Sequence, residues 1–149
     1  SMGAATVLMA SSTGLPENVK FIIADCGYTS PRDQIAHVLK TSYHIPLFPT
    51  LAISDMLARA LAGFSLSEYS TLDALNENEI PVLFIHGDAD MFVPPYMSEQ
   101  NYEACKAPKE LLVVHGAPHA VNYALGKKEY EKKIIEYINT YSVIKNIPQ

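Results

Sequence analysis

Residues 81–94 read Pro81-Val82-Leu83-Phe84-Ile85-His86-Gly87-Asp88-Ala89-Asp90-Met91-Phe92-Val93-Pro94. The first half is a short, continuous apolar run entered through a proline and left through a glycine, the pattern of a strand buried on both faces of a parallel sheet. The second half is a turn that holds two carboxylates. Two other runs have the same character, Val19 to Ala24 (VKFIIA) and Glu110 to Val114 (ELLVV). Each also gives way to polar residues at its carboxyl end, Asp25 in the first case and His115-Gly116-Ala117-Pro118-His119-Ala120 in the second.

Helical patterns lie between these runs. Gly3 to Ser12 is small and apolar, and Gly14 and Pro16 end it. Ser30-Pro31-Arg32-Asp33 supplies a capping hydroxyl, a proline at the first helical position and an acid in the first turn, with Ile35, Val38 and Leu39 as the inner face. Ile53, Met56, Leu57, Ala60, Leu61 and Phe64 recur at i, i+3, i+4, i+7, so this stripe is expected to pack in the core or to line a pocket. Ser70-Thr71-Leu72-Asp73 repeats the capping signature, and Pro95 to Cys105 is a further helix. Tyr130, Ile134, Tyr137, Ile138 and Tyr141 form the apolar stripe of a last one, with Lys127, Lys128, Lys132 and Lys133 on its solvated face. Strands alternating with helices define an α/β class, a parallel sheet of about three strands flanked by helices. Ligands of such sheets gather at the carboxyl ends of the strands.

Composition narrows the function. At 149 residues and 48% hydrophobic, the chain is long enough for one domain with a core. A net charge of -5 argues against nucleic acid as a partner, since phosphate-binding surfaces are basic. The only cysteines, Cys26 and Cys105, are far apart in sequence and suggest neither a metal cluster nor a disulfide framework; two free thiols fit a reducing, cytoplasmic compartment. No apolar run reaches the roughly 18–20 residues of a membrane span. A doubly wound ligand-binding domain is disfavoured, because no glycine-rich phosphate fingerprint is present.

The chemistry falls on Asp90 and His119. Histidine is the commonest general base near neutral pH, and a carboxylate beside it fixes its tautomer and stabilises the imidazolium. His86-Gly87-x-x-Asp90-x-x-Val93-Pro94 after one strand, then Gly116-x-x-His119 after the next, resembles the acid and histidine loops of α/β-hydrolases. The stretches His44 to Phe64, Pro81 to Pro94 and Pro108 to Ala120 look like bacterial members of the serine-esterase and peptidase-like type. This resemblance implies that Asp90 is the acid and His119 the base of a catalytic triad, in the fold's chain order of Ser, Asp, His. Ser1-Met2-Gly3-Ala4-Ala5 resembles the second half of a G-x-S-x-G elbow, which makes Ser1 the nucleophile and the Met2 N–H an oxyanion donor. Ser-Met at a chain start is also what protease cleavage ahead of an initiator methionine leaves, and that alternative stays open.

By the same resemblance, residues 1–149 form a single partial domain, the C-terminal half of the fold. Residues 26–80 are then a connection containing pocket-covering helices. The implied substrate is a small acyl compound or ester, with no cofactor and no metal. An apolar sheet edge left unpaired implies a homo-oligomer. The alternative function is a truncated, catalytically weak module that self-associates through that edge. His86 is expected to be a sheet-end residue and Asp88 a turn former, while His37, His44 and His115 have no partner that the sequence identifies.

Overall fold

The computed structural model describes residues 1–142. Its centre is strand β2 (Val82–Gly87), whose six residues are all buried. Strands β1 (Ile22–Asp25) and β3 (Lys109–Val114) flank it in the order β1-β2-β3, all parallel. The α/β class and the three-stranded parallel sheet are as expected from the sequence. The register pairs Ile22 with Val82 and Asp25 with Ile85 on one side, and Val82 with Lys109 and Gly87 with Val114 on the other. Strands β2 and β3 therefore end level, and β1 ends two residues short of them. Residues 25–26, 88–94 and 115–122 leave the sheet at the same edge.

The period-2 alternation of strands divides the core. Ile22, Ala24, Val82 and Phe84 face one way, against Ala4 and Leu8 of helix α1 (Met2–Ala10) and Leu75 of helix α4 (Thr71–Glu77). Leu83, Ile85, Leu112 and Val114 face the other way, against Tyr137 of helix α7 (Lys127–Tyr141), with Tyr130, Ile134 and Tyr141 packed alongside. Fully burying each of the large apolar side chains on β2 stabilises the fold by about 1.5–3 kcal/mol. Helix α5 (Pro95–Ala104) joins β2 to β3, and the short helix α6 (Asn122–Leu125) precedes α7.

Helix α2 (Pro31–Thr41) starts as its sequence dictates, since the Ser30 hydroxyl accepts the Asp33 N–H at 3.0 Å and Pro31 fills the first turn. Ser70 caps α4 in the same manner through the Leu72 N–H. Two expectations need correction. Val19 to Phe21 lie outside β1, because pairing begins only where Ile22 meets Val82. The second concerns helix α3 (Leu47–Ala62): its stripe of Ile53, Met56, Leu57 and Leu61, with Phe64 just beyond, faces solvent rather than the core, and Leu61 is 84% exposed. The opposite side of α3 makes the attachment. Leu51 is buried, and Asp55 accepts hydrogen bonds from the Ser65 hydroxyl, the Leu66 N–H and Arg59. Those bonds, chiefly the one from Arg59, hold the half-buried Asp55 carboxyl down at about 2.

Candidate active site

The acid loop begins where β2 runs out. Asp90 N–H closes a turn on Gly87 O at 3.2 Å, while Asp88 N–H reaches Val114 O and Ala89 N–H reaches Ala117 O, so the loops after β2 and β3 are stitched together through backbone. Asp88 adds a side-chain strap. Its carboxylate accepts the Gly116 N–H at 2.6 Å and His115 Nδ1 at 2.5 Å. The Gly116 N–H, opposed by burial and helped by His115, lowers the Asp88 carboxyl below its ordinary value. Asp88 is thus more than a turn former, and His115 has a partner that its sequence context does not identify.

Asp90 is 1% exposed. One carboxylate oxygen accepts the Phe92 and Val93 N–H groups, each at 2.9 Å. The other accepts from His119 Nδ1 at 2.7 Å and lies 3.3 Å from His86 Nε2. Burial alone would push this carboxyl up, but the contacts with His86, His119 and the Val93 N–H outweigh it and hold the group at about 2. Asp90 is therefore an anion at neutral pH and accepts only. His119 Nδ1 must carry the proton between them, which leaves the Nε2 lone pair free. The His119 side chain is 25% exposed and stacks, tilted, on Phe92 with ring centroids 5.0 Å apart.

His86 is buried behind this pair. Its Nδ1 meets the Ser98 hydroxyl at 2.6 Å and its Nε2 meets Val93 O at 2.8 Å. The sequence marks it only as a sheet-end residue, although a histidine closing a fully apolar strand needs a polar partner there. Helix α2 grips the far side of the acid loop: Gln34 donates to Phe92 O at 2.8 Å and His37 Nε2 lies 3.0 Å from Met91 O.

Ser1 precedes the first turn of α1 and makes no side-chain cap. It borders a cavity of about 370 Å³ with Met2, Tyr28, Pro31, Gln34, Ile35 and Phe92. Phe92 thus links the cavity wall to the His119 ring. Among the described residues no hydrogen bond joins Ser1 to His119. The Met2 N–H lies in the first turn of α1, where no intrahelical acceptor exists, so it is available to an anion.

Cys26, which no sequence motif marks, lies at the end of β1 beside this pair. Its Sγ and ligand atoms of Asp90 and His119 all fall within 4.8 Å of one another. Such a donor set could hold a soft cation, but Asp90 and His119 are already bonded to each other, and burial pushes the Cys26 thiol up to about 12, so it stays protonated. Both cysteines are free thiols.

A family model described as a serine hydrolase (FSH1) matches residues 1–124. The chain belongs to this serine hydrolase family. Among curated proteins, the uncharacterized protein YqkD of Bacillus subtilis is 32% identical over 139 residues, covering 93% of this chain and 46% of its own length. Among solved structures, an esterase of Pyrococcus furiosus superposes with a TM-score of 0.69 at 20% identity over 95% of this chain and 52% of its own. An acetyl xylan esterase from Paenibacillus sp. R4 gives 0.66 at 19% identity over 95% and 43%. The chain thus spans about half the length of the curated relative it matches, and the structural matches show a shared α/β-hydrolase fold. No helix among the described residues of this FSH1-type chain is long and apolar enough to cross a membrane.

The depressed Asp90 carboxyl makes a pH prediction. Its folded value of about 2 lies below its ordinary 3.8, so the stability it contributes is complete above the unfolded value and is lost as pH falls through the folded one. Comparing denaturant midpoints of the wild type and Asp90→Asn from neutral pH to about pH 2 should reveal a difference that shrinks by roughly 2 kcal/mol below pH 4. A pH-independent difference would refute the assignment.

Proposed function

We propose that this chain carries the catalytic groups of a hydrolase that cleaves carboxylic esters or related acyl compounds, with Ser1 as nucleophile, His119 as base, Asp90 as acid and the Met2 N–H as oxyanion donor. The observation that carries this reading is the buried, anionic Asp90 bonded to His119 Nδ1, which leaves Nε2 free on a ring that packs against Phe92, a wall of the cavity that Ser1 borders.

In this reaction Ser1 Oγ attacks the acyl carbon as His119 Nε2 takes the hydroxyl proton, and the carbonyl electron pair moves onto oxygen, where Met2 N–H meets it. The tetrahedral adduct collapses, breaks the bond to the leaving alcohol and hands that alcohol the proton from His119. Water then repeats the sequence on the acyl-enzyme and regenerates Ser1. Asp90 stays ionised throughout and stabilises the imidazolium. No step requires a cofactor.

The cavity is mostly apolar, with Tyr28, Pro31, Ile35 and Phe92 on its walls, which suits an apolar acyl or alkyl group. Within residues 26–80, α2 and the segment before it form this covering wall; none of the exposed stripe on α3 lines the cavity. Fluorophosphonate should label Ser1, and kcat/KM on p-nitrophenyl esters should rise with acyl length until the cavity is filled. Absence of labelling at Ser1 would remove the nucleophile assignment, and indifference to acyl length would remove the pocket.

A second reading, self-association, is favoured by one observation. Among the described residues the outer edge of β1 has no strand partner, and beside it Val7, Ala10, Leu15, Val19, Phe21 and Ile23 line an apolar groove of about 320 Å³. An apolar edge of this kind pairs readily with another strand. Sedimentation equilibrium of this chain should give a homodimer or larger assembly that Ile23→Lys dissociates, and a compact wild-type monomer would end this reading.

A further inference from the structure

The loop that carries His119 makes a sharp reversal immediately after it. Ala120 has φ +59°, a left-handed conformation that residues with a Cβ seldom adopt. Cys26, across the sheet edge at the end of β1, has φ +54°. Cys26 lies against the histidine loop on either side of Ala120, its Sγ within 4.8 Å of a ring nitrogen of His119 and 3.2 Å from the Asn122 amide. Strain at two neighbouring positions persists only where surrounding bonds over-determine it.

Those bonds converge on Asp25. Its Oδ1 accepts the Asn122 side-chain amide at 2.6 Å and the Cys26 thiol at 3.2 Å, and its Oδ2 accepts the Tyr130 hydroxyl at 2.9 Å. The Asn122 amide also lies 3.2 Å from Cys26 Sγ, and Asn122 is 1% exposed. Burial, then the Asp25 hydrogen bond, raise the Tyr130 phenol, so it donates to the carboxylate rather than ionising. One carboxylate on β1 therefore ties down the far end of the histidine loop, three residues past His119, and the helix beyond it. The acid loop is tied to the near end by Asp88 and Ala89. His119 sits between two anchors, one on β1 and one in the loop that follows β2.

We infer that Asp25, acting through Asn122, is a positioning residue that holds the strained turn at Ala120 and thereby keeps His119 Nδ1 directed at Asp90. The catalytic consequence rests on the hydrolase reading above, but the geometric claim does not. Asp25 touches no reacting atom. Its role is to fix the loop within the fraction of an ångström that proton transfer demands.

The test begins with this chain and needs no turnover. Proton NMR follows the imidazole N–H shared by His119 and Asp90, assigned by its loss in His119→Ala. In Asp25→Ala and Asn122→Ala its exchange with solvent should speed up by about tenfold or more. Asp25→Asn keeps an acceptor for the Asn122 amide and should remain within about threefold of the wild type. Because Asp25→Ala can destabilise the fold, Tyr130→Phe, which removes one bond and leaves the loop's own contacts, is measured beside it, with thermal melts on each variant. It should give an intermediate acceleration. If exchange at His119 stays unchanged in folded Asn122→Ala, or if Asp25→Asn behaves like Asp25→Ala, the inference is overturned. On p-nitrophenyl acetate, Asp25→Ala should lower kcat by about a hundredfold with KM nearly constant. An inactive wild type with the expected exchange pattern would defeat the hydrolase reading alone.

Discussion

His119→Ala should lower kcat on an activated ester by about 10⁴-fold or more while KM changes little, because proton transfer belongs to the transition state and not to binding. The buried carboxylate left behind by this change has lost its charge-assisted partner but keeps the Phe92 and Val93 N–H groups. The loop should therefore stay folded and the loss should be chemical. Asp90→Asn offers an independent check. The introduced amide can still accept from the two backbone N–H groups through its oxygen, yet its NH₂ can face His119 and select the wrong imidazole tautomer, an effect that costs about 10⁴ in kcat where a triad operates. The double variant should be no worse than either single one, since the groups act as a unit. Steady-state kinetics on the four proteins decide the matter. Additive losses, or a His119→Ala enzyme that keeps about a tenth of its rate, would remove the pair from catalysis.

Much of this geometry is legible in the sequence because the strands write it locally. A fully buried parallel strand needs an uninterrupted apolar run, and Val82 to Ile85 supplies one; the loop leaving it must then sit at the sheet edge where ligands bind. Asp90 and His119 follow successive strand-like runs, the family resemblance makes those strands neighbours, and the register of β2 with β3 brings their carboxyl ends side by side. The same two loops carry the likeness to the family. Other features lack a local signature. The spacing of Ile53, Met56, Leu57 and Leu61 shows that they share a face of α3, but nothing in a period says what that face meets, and it meets solvent. The bond from Asp25 to Asn122 spans 97 positions, and no motif links an aspartate ending one strand to an asparagine two strands later. Cys26 reads as an isolated thiol for the same reason. Its neighbours at Asp90 and His119 come from loops that only the register brings together.

Gly87→Ala should be among the most damaging single-methyl changes in the molecule. Gly87 ends β2 opposite Val114, at the point where the histidine loop folds back across the sheet edge. A Cβ there would overlap Ala117 O and come within 2.7 Å of Asn122 Oδ1. Neither neighbour can yield cheaply. Ala117 is fully buried, its carbonyl accepts the Ala89 N–H at 3.2 Å and its N–H donates to Val114 O, while the Asn122 amide is held by Asp25. The obstacle is backbone, so no rotamer change relieves it, and overpacking of this kind costs about 3 kcal/mol. The loop's one route of escape is outward, which draws His119 away from Asp90 and should lower kcat by a further hundredfold or so. Gly116→Ala is the informative contrast. Gly116 has φ +71° with nothing near its missing Cβ, so an alanine there meets conformational strain of about 1–2 kcal/mol and no clash. Thermal melts and kinetics on the two variants should rank Gly87→Ala well below Gly116→Ala in both stability and turnover. Equal effects would mean that the contact between the β2 terminus and the histidine loop does not control where His119 lies.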